Sequence, residues 1–212
     1  MNFSRPQICV FLLIATVTWA GMLWIQGREL SFGDLAPFST VVGALTVFAL
    51  LIEKVLWRHP WFHGWFVQRP DLRGTWKVQL QSDWIDPVTG NPKGPITCYM
   101  GVNQTLSTLQ MHLMTPESES WLVASSVRAF PSETGFQIVG VYTNKPDVHL
   151  RSATSAMHFG ALVIDTHGSS TLRPETMTGE YWTDRKTTGR MTLSSRSDIV
   201  YTQFAQAQQH LP

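Results

Sequence analysis

The sequence predicts an N-terminal hairpin of two transmembrane helices followed by an all-β domain, an eight-stranded up-and-down antiparallel β-barrel. Two observations support this division of the 212 residues. Two long apolar runs lie before Glu53, and from Pro70 onward apolar residues alternate with polar ones in short stretches separated by Gly, Pro, Asn, Asp and Ser. The first pattern is typical of membrane helices and the second of strands and turns. We therefore predict a hairpin with an interfacial segment at 1–69, a barrel at 70–200 and a polar tail at 201–212.

The apolar runs at 8–25 and 36–52 are long enough for transmembrane helices. A helix rises about 1.5 Å per residue, so about 20 apolar residues cross the roughly 30 Å of bilayer hydrocarbon. Neither run contains a charged residue or the polar stripe that a surface helix shows every three to four residues. A buried helical hairpin of a soluble domain is the alternative interpretation. A cleaved signal peptide is the alternative for the first run, but a second apolar run follows it.

Lysine and arginine residues near the two runs predict their orientation, because the cytoplasmic side of a membrane retains more of them. The polar turn at 26–35 contains Arg28 as its only basic residue, whereas the flanks contain Arg5, Lys54, Arg58, Arg69 and Arg73. Both termini and the barrel are therefore expected to be cytoplasmic. The aromatic segment 57–66 is expected at headgroup depth, and Pro60 is expected to end the second helix.

Eight stretches after Pro70 have the length and alternation of β-strands. They are residues 72–82, 96–104, 107–114, 120–129, 135–143, 155–165, 177–183 and 188–195. Short turns are predicted at 116–119, 131–134 and 144–147, because Pro, Asn, Asp and Ser are concentrated there. Sequential strands without intervening helices favour an up-and-down barrel, which closes on itself and leaves no sheet edge. A two-sheet sandwich of the same strands is the alternative.

Composition argues against several classes of function. A net charge of +1 provides no broad basic face for a nucleic-acid duplex. Cys9 lies in the first apolar run and Cys98 in the barrel, so a bridge between them is implausible and a reducing compartment is consistent. The seven histidines show no metal-ligand spacing, so no metal and no cofactor are expected. No nucleophile elbow, P-loop, zinc-protease helix or dinucleotide-binding turn is present, and we therefore predict no catalysis.

The most informative stretch of the barrel is residues 179–193. The strand period of two places Gly179, Tyr181 and Thr183 on one face, with Gly189, Met191 and Leu193 on the same face after the turn. Arg185 and Thr187 would then lie at the rim. Such a face suits a ligand with a flat part and an anionic part, because an aromatic ring stacks on a base and a guanidinium matches phosphate oxygens. The alternative is that Tyr181 is a core residue and that Arg185 and Arg190 are solvated.

The order of these features resembles a known family. Two N-terminal helices, then Leu72-Arg-Gly-Thr-Trp76 at the start of a barrel and Gly179-x-Tyr181-x-Thr183-x-Arg185 near its end, are similar to the CBASS antiphage membrane effector called CD-NTase-associated protein 15. The resemblance implies that a cyclic dinucleotide, made by a partner nucleotidyltransferase on infection, binds the barrel. It also implies that binding triggers self-association of the membrane helices, disruption of the bacterial inner membrane and cell death.

Strand alternation and this resemblance together define the candidate ligand-binding residues. They are Trp76, Tyr142, Arg151, Tyr181, Thr183, Arg185, Thr187 and Arg190. The two phosphates of a cyclic dinucleotide would favour Arg185, with Arg151 or Arg190 as helpers. Two other functions stay open: a lipocalin-like carrier of an apolar or lipidic ligand, lined by Trp76, Tyr142 and Tyr181, and a barrel that serves only as a protein-interaction module. A cationic cavity mouth would favour the nucleotide over the apolar ligand.

Overall fold

The computed structural model describes residues 5–27, 32–63, 66–85, 90–91, 94–129, 135–147, 156–170 and 172–211. The chain divides into two units. One comprises residues 1–57 with 105–108, and the other comprises residues 58–104 with 109–212. The predicted turn at 131–134 lies outside the described residues.

The first unit contains two α-helices, α1 (Arg5–Ile25) and α2 (Phe32–Lys54), which cover the two apolar runs. Among the residues described, no helix combines the length and the apolarity needed to cross a membrane, so the structure does not support the predicted transmembrane hairpin. α2 ends at Lys54, well before Pro60. Pro60 therefore does not end this helix as predicted. It begins a short 3-10 helix instead, because its fixed φ and missing N–H are tolerated in a first helical turn.

The second unit is a closed barrel of eight antiparallel strands, in which each strand pairs with the next and the last pairs with the first. The strands are β1 (Gly74–Ser82), β2 (Ile96–Gln104), β3 (Leu109–Met114), β4 (Ser118–Ala129), β5 (Phe136–Pro146), β6 (His158–His167), β7 (Thr176–Thr183) and β8 (Thr188–Ser197). The predicted up-and-down barrel is confirmed, and the sandwich alternative is excluded. Each predicted strand overlaps an observed one.

Alternating side chains on each strand explain why the barrel closes. On β1, Trp76, Val78 and Leu80 are buried inside the barrel, whereas Gln79 and Gln81 are exposed on its outside. Successive side chains of a strand point to opposite faces, so closure of the barrel buries the apolar side chains that point inward. Burial of each large apolar side chain contributes about 1.5–3 kcal/mol. The inward faces of the strands thus form one hydrophobic core.

Trp76 closes one end of the barrel. Its indole N–H donates a 2.9 Å hydrogen bond to the Leu72 carbonyl, and the guanidinium carbon of Arg196 lies 5.3 Å from its ring centroid. Arg196 also donates to the Asp71 carbonyl at 2.7 Å and to the Asp71 carboxylate at 3.3 Å. Burial lowers the pKa of Arg196, and the charge of Asp71 opposes that effect. The buried Gln104 accepts a 2.9 Å hydrogen bond from the Leu72 N–H, which fixes the chain that enters the barrel.

Part of the polar C-terminal segment at 201–212 is helical. Residues Phe204–His210 form a helix, α3, that packs on β2. The Tyr99 hydroxyl donates a 2.9 Å hydrogen bond to the Leu211 carbonyl, and the rings of Tyr99 and Phe204 meet edge to face at 5.4 Å. Tyr99 lies on the outer face of β2, where α3 covers it. Burial of Tyr99 and Phe204 outweighs the polarity of the surrounding glutamines.

Candidate functional site

The barrel contains a cavity of about 270 Å³ at the end away from Trp76. This volume is close to the lower end of the roughly 300–1,000 Å³ range of small-molecule sites. Its mouth is formed by the last residues of β1, β3, β5 and β7, the first residues of β2, β4 and β6, and the turns at 115–117 and 184–187. The apolar side chains of its wall are Leu80, Ile96, Met100, Met111, Leu113, Leu122, Leu162 and Met191. The polar and aromatic ones are Ser82, Trp84, Thr115, Glu117, Ser118, Ser120, Tyr142, Asn144, His158, Tyr181, Thr183, Arg185 and Thr187.

Two tyrosines of the wall each lie over a glycine of the adjacent strand. Tyr142 on β5 is paired with Gly160 on β6, and Tyr181 on β7 is paired with Gly189 on β8. A Cβ atom at Gly160 would clash with Tyr142 Cζ and Oη, and one at Gly189 would lie 2.6 Å from Tyr181 Cζ. Only glycine leaves room for each ring to lie against the barrel wall. The rings therefore border the cavity and leave its centre open.

Burial raises the pKa of both tyrosines, and electrostatic interactions with Tyr181 and Asp184 add to this effect at Tyr142. A hydrogen bond with Ser82 partly opposes the rise at Tyr181. Both phenols are therefore neutral near neutral pH. They add hydrogen-bonding groups to the wall without adding negative charge, which would repel an anionic ligand.

Gly160→Ala is expected to lower the free energy of unfolding of the barrel by about 1–3 kcal/mol, because the added methyl group overpacks the wall. The new Cβ would clash with Tyr142 and would also lie 2.7 Å from the Trp182 carbonyl oxygen. Chemical denaturation followed by circular dichroism measures the change. In a Tyr142→Ala background the same substitution should cost less than in the wild-type protein, because the ring that the new methyl group would meet is absent.

Gly94→Ala is the matched control, because no atom lies within 4 Å of a Cβ built at Gly94. Its effect should stay within about 0.5 kcal/mol. Equal stability of the Gly160→Ala and Gly94→Ala variants would contradict the proposed role of glycine beneath the tyrosine ring.

The turn between β7 and β8 places Arg185 at the mouth. The hydroxyls of Thr183 and Thr187 are 2.7 Å apart, and the Thr187 N–H donates to Thr183 Oγ1 at 3.2 Å. The Thr183 N–H donates to the Thr187 carbonyl at 2.9 Å, and Lys186 completes the turn with a φ of 61°. These bonds fix the ends of the turn and restrict where the backbone of Arg185 can move. Its guanidinium can reach an anionic group bound at the mouth.

The mouth carries charges of both signs. Among the described side chains that line the cavity, Arg185 is basic and Glu117 is acidic, and Asp184 and Lys186 lie in the same turn as Arg185. The Glu117 N–H donates to Thr115 Oγ1 at 3.2 Å. The mouth is thus not the purely cationic one that would by itself distinguish a nucleotide from an apolar ligand. Arg185 is the basic residue among the described residues of the wall, and the interior of the cavity is mainly apolar.

A polar cluster on β4 and β5 was not predicted from the sequence. Asn144 Nδ2 donates to Ser120 Oγ at 2.8 Å and to Ser118 Oγ at 3.2 Å. The sequence predicts a turn at 144–147, but β5 continues to Pro146. β5 extends this far because Asn144 pairs with Ser120 on β4 and with His158 on β6, and these cross-strand partners override its local preference for turns. Extending the alternation of β5 by one step from Tyr142 would have placed Asn144 in the cavity.

Five of the eight candidate ligand-binding residues line the cavity: Tyr142, Tyr181, Thr183, Arg185 and Thr187. Their role in binding stays a prediction. Trp76 lies away from the cavity, because it packs under Arg196 at the closed end of the barrel. Arg190 points outward and forms a 3.2 Å ion pair with Glu180. Arg151 lies outside the described residues.

Other reactive groups do not form a site. Across the described ranges, no group of three His, Cys, Asp or Glu side chains could hold a metal ion. Cys98 is fully buried, and burial raises the pKa of its thiol to about 12. The reactive form of cysteine is the thiolate, so Cys98 behaves as an apolar core residue.

Residues 67–195 match the family model of the Cap15 cyclic dinucleotide receptor domain. The matched residues exceed half of the chain, and they begin before β1 and end within β8. They therefore include both walls of the cavity and the turn that carries Arg185. No curated protein sequence matches the chain.

Proposed function

Because this chain belongs to the Cap15 cyclic dinucleotide receptor family, we propose that its barrel cavity binds a cyclic dinucleotide and senses it for CBASS antiphage defence. The observation that carries this proposal is the cavity itself. It opens at one end of the barrel, two neutral tyrosines border it, and Arg185 lies at its mouth. Membership of the family supports a cyclic dinucleotide as the ligand. The residues that line the cavity support the cavity as its binding site.

The wall suits the parts of such a ligand. Bases are flat and stack on aromatic faces, and Tyr142 and Tyr181 supply two such faces on different strands. Phosphate oxygens match the planar fork of a guanidinium, which Arg185 supplies at the solvent-accessible end. The charged part of the ligand would thus stay near water while the bases enter the mainly apolar interior. The protein acts here as a receptor that binds its ligand without converting it.

A lipocalin-like carrier of an apolar ligand is the second candidate, favoured by the eight apolar side chains of the wall. The two candidates predict different ligands for the same cavity. Thermal unfolding of the full-length protein, measured with cyclic dinucleotides and separately with fatty acids, distinguishes them.

We expect a cyclic dinucleotide at a hundredfold excess over Kd to stabilise the folded protein by about 2.7 kcal/mol, because it binds the folded state alone. Mononucleotides of the same bases serve as the matched ligands, since each carries only one base. Stabilisation by fatty acids but not by any cyclic dinucleotide would contradict the sensor and favour the carrier.

We further propose that ligand binding drives self-association of the N-terminal helices and disrupts the bacterial inner membrane, with both termini in the cytoplasm. This part is supported by the apolar runs at 8–25 and 36–52 and by the basic residues that follow them. A ligand shifts assembly only if it binds the assembled form more tightly. Crosslinking of the protein in cell membranes, with and without cyclic dinucleotide, tests it. An oligomer distribution that ligand does not change would contradict it.

A further inference from the structure

We propose that Asn144 recognises one base of the bound cyclic dinucleotide by accepting a hydrogen bond from an exocyclic amine, as adenine and cytosine carry. This inference rests on the proposed function, because it concerns base recognition within the same cavity. It also goes beyond that function, since the apolar wall and Arg185 explain binding without distinguishing one base from another. Among the described residues of the wall, Asn144 is the only carboxamide.

The direction of the Asn144 amide follows from the hydrogen bonds around Ser118. The Thr115 hydroxyl donates to the Ser118 carbonyl at 3.0 Å, so the Ser118 hydroxyl donates to Thr115 Oγ1 at 3.1 Å and its oxygen accepts from Asn144. Both Nδ2–H groups are used, one toward Ser120 and one toward Ser118, at 2.8 and 3.2 Å. Oδ1 makes no hydrogen bond to another described residue, and the side chain borders the cavity. An amide with both donors used can only accept. The buried side chain therefore presents a carbonyl oxygen to the cavity, where it can accept a hydrogen bond from a ligand N–H.

The two serines are themselves held in place. Ser120 pairs directly with Asn144 across β4 and β5, and it is buried. The Ser118 N–H donates to Thr115 Oγ1 at 2.9 Å, and Thr115 Oγ1 donates to the Ser118 carbonyl at 3.0 Å. The amide is thus oriented by groups that the strands and the turn at 115–117 already fix. A recognition site requires this orientation, because an unrestrained amide could rotate and present either its carbonyl oxygen or its NH2 group to a base.

Tyr142 places a base next to this oxygen. It precedes Asn144 by two residues on β5 and points to the same side, so the two Cα atoms are about 7 Å apart. The ring of Tyr142 lies against Gly160, which keeps its exposed face toward the cavity. A base stacked on this ring would have its edge near Asn144. An exocyclic amine on that edge can donate to Oδ1, whereas a carbonyl at the same ring position would repel it.

Equilibrium binding of full-length protein to 3′,3′-cyclic di-AMP and 3′,3′-cyclic di-IMP tests the inference. These probes differ along one edge of the base: ring position 6 carries an amine in one and a carbonyl in the other, and the adjacent N1 is an acceptor in the first and an N–H in the second. We expect wild-type protein to bind the amine-bearing probe about tenfold more tightly, the effect of one buried hydrogen bond of about 1.4 kcal/mol. Asn144→Leu should bring the ratio close to one. Asn103→Leu, an exposed asparagine on β2, should leave the ratio unchanged.

Each outcome has a distinct meaning. Failure of wild-type protein to bind any cyclic dinucleotide would overturn both the proposed function and this inference. Binding with the same ratio in wild-type protein and in Asn144→Leu would overturn the inference alone. A wild-type preference for the carbonyl-bearing probe would overturn the assignment of Asn144 as an acceptor. Ser120→Ala provides a second variant if Asn144→Leu does not fold: it should reduce the ratio, and an unchanged ratio would contradict the role of the serine in orienting the amide.

Discussion

Trp76→Ala is expected to lower the free energy of unfolding of the barrel by about 3–5 kcal/mol, the usual cost of removing a buried tryptophan. Trp76 is fully buried, its indole N–H donates to the Leu72 carbonyl, and its ring lies beside Arg196. The variant loses the packing of the ring and leaves Arg196 above a void. Chemical denaturation of the full-length protein, followed by circular dichroism, measures the loss.

Trp182→Ala is the matched control, because Trp182 lies on β7 with 47% of its surface exposed. Removal of this outward side chain should cost less than about 1 kcal/mol, since it contributes little to the core. Similar losses from the two substitutions would mean that Trp76 does not close the barrel as described.

Arg185→Ala should weaken binding of a cyclic dinucleotide by about 1.5–3 kcal/mol, or roughly 10- to 150-fold in Kd, because a charge-assisted hydrogen bond to phosphate is lost. The melting temperature without ligand should change little, since Arg185 is exposed at the mouth. Titration calorimetry with the full-length protein gives both the affinity and the stoichiometry.

Arg190→Ala provides the same chemical change at a residue that does not line the cavity. Arg190 is bonded to Glu180 on the outside of the barrel, and its side chain is 82% exposed. Its removal should leave Kd unchanged. A loss of affinity in Arg190→Ala equal to that in Arg185→Ala would show that general positive charge, and not a contact at the mouth, provides the effect.

The strands could be predicted from the sequence, because the alternation of apolar and polar residues involves only neighbouring positions within each strand. Alternation on β1 and on β7 shows which side chains face inward, and short turns between sequential strands lead to an antiparallel barrel. The same alternation places Arg190 outside, between the inward Gly189 and Met191. Arg190 became a candidate only because the resemblance suggested two phosphates to bind.

The position of an inward side chain along the barrel axis could not be predicted from the sequence. Trp76 and Tyr142 both face inward, but one fills the closed end and the other borders the cavity. Which end of a barrel is filled depends on where distant residues meet, such as Gln104 with Leu72 and Arg196 with Asp71. The sequence pattern indicates which face of the strand a residue occupies, but it does not indicate which distant residues contact it.

The polar wall and the C-terminal helix were missed for a related reason. Asn144 and Pro146 belong to a stretch of turn-forming residues, yet β4 and β6 provide partners that extend β5 through them. α3 is short and rich in glutamine, and it is stabilised by contacts with the outer face of β2. In both cases, contacts between residues distant in sequence override a local preference.

Photoaffinity labelling of the full-length protein with an azido-substituted cyclic dinucleotide tests most directly whether the cavity is the binding site. The modified residues are identified by mass spectrometry, and excess unmodified ligand serves as competitor. We predict labelling on the cavity walls, at or beside Tyr142 and Tyr181, which competitor abolishes. Competable labelling confined to the outer face of the barrel, around Arg190 and Glu180, would contradict the account.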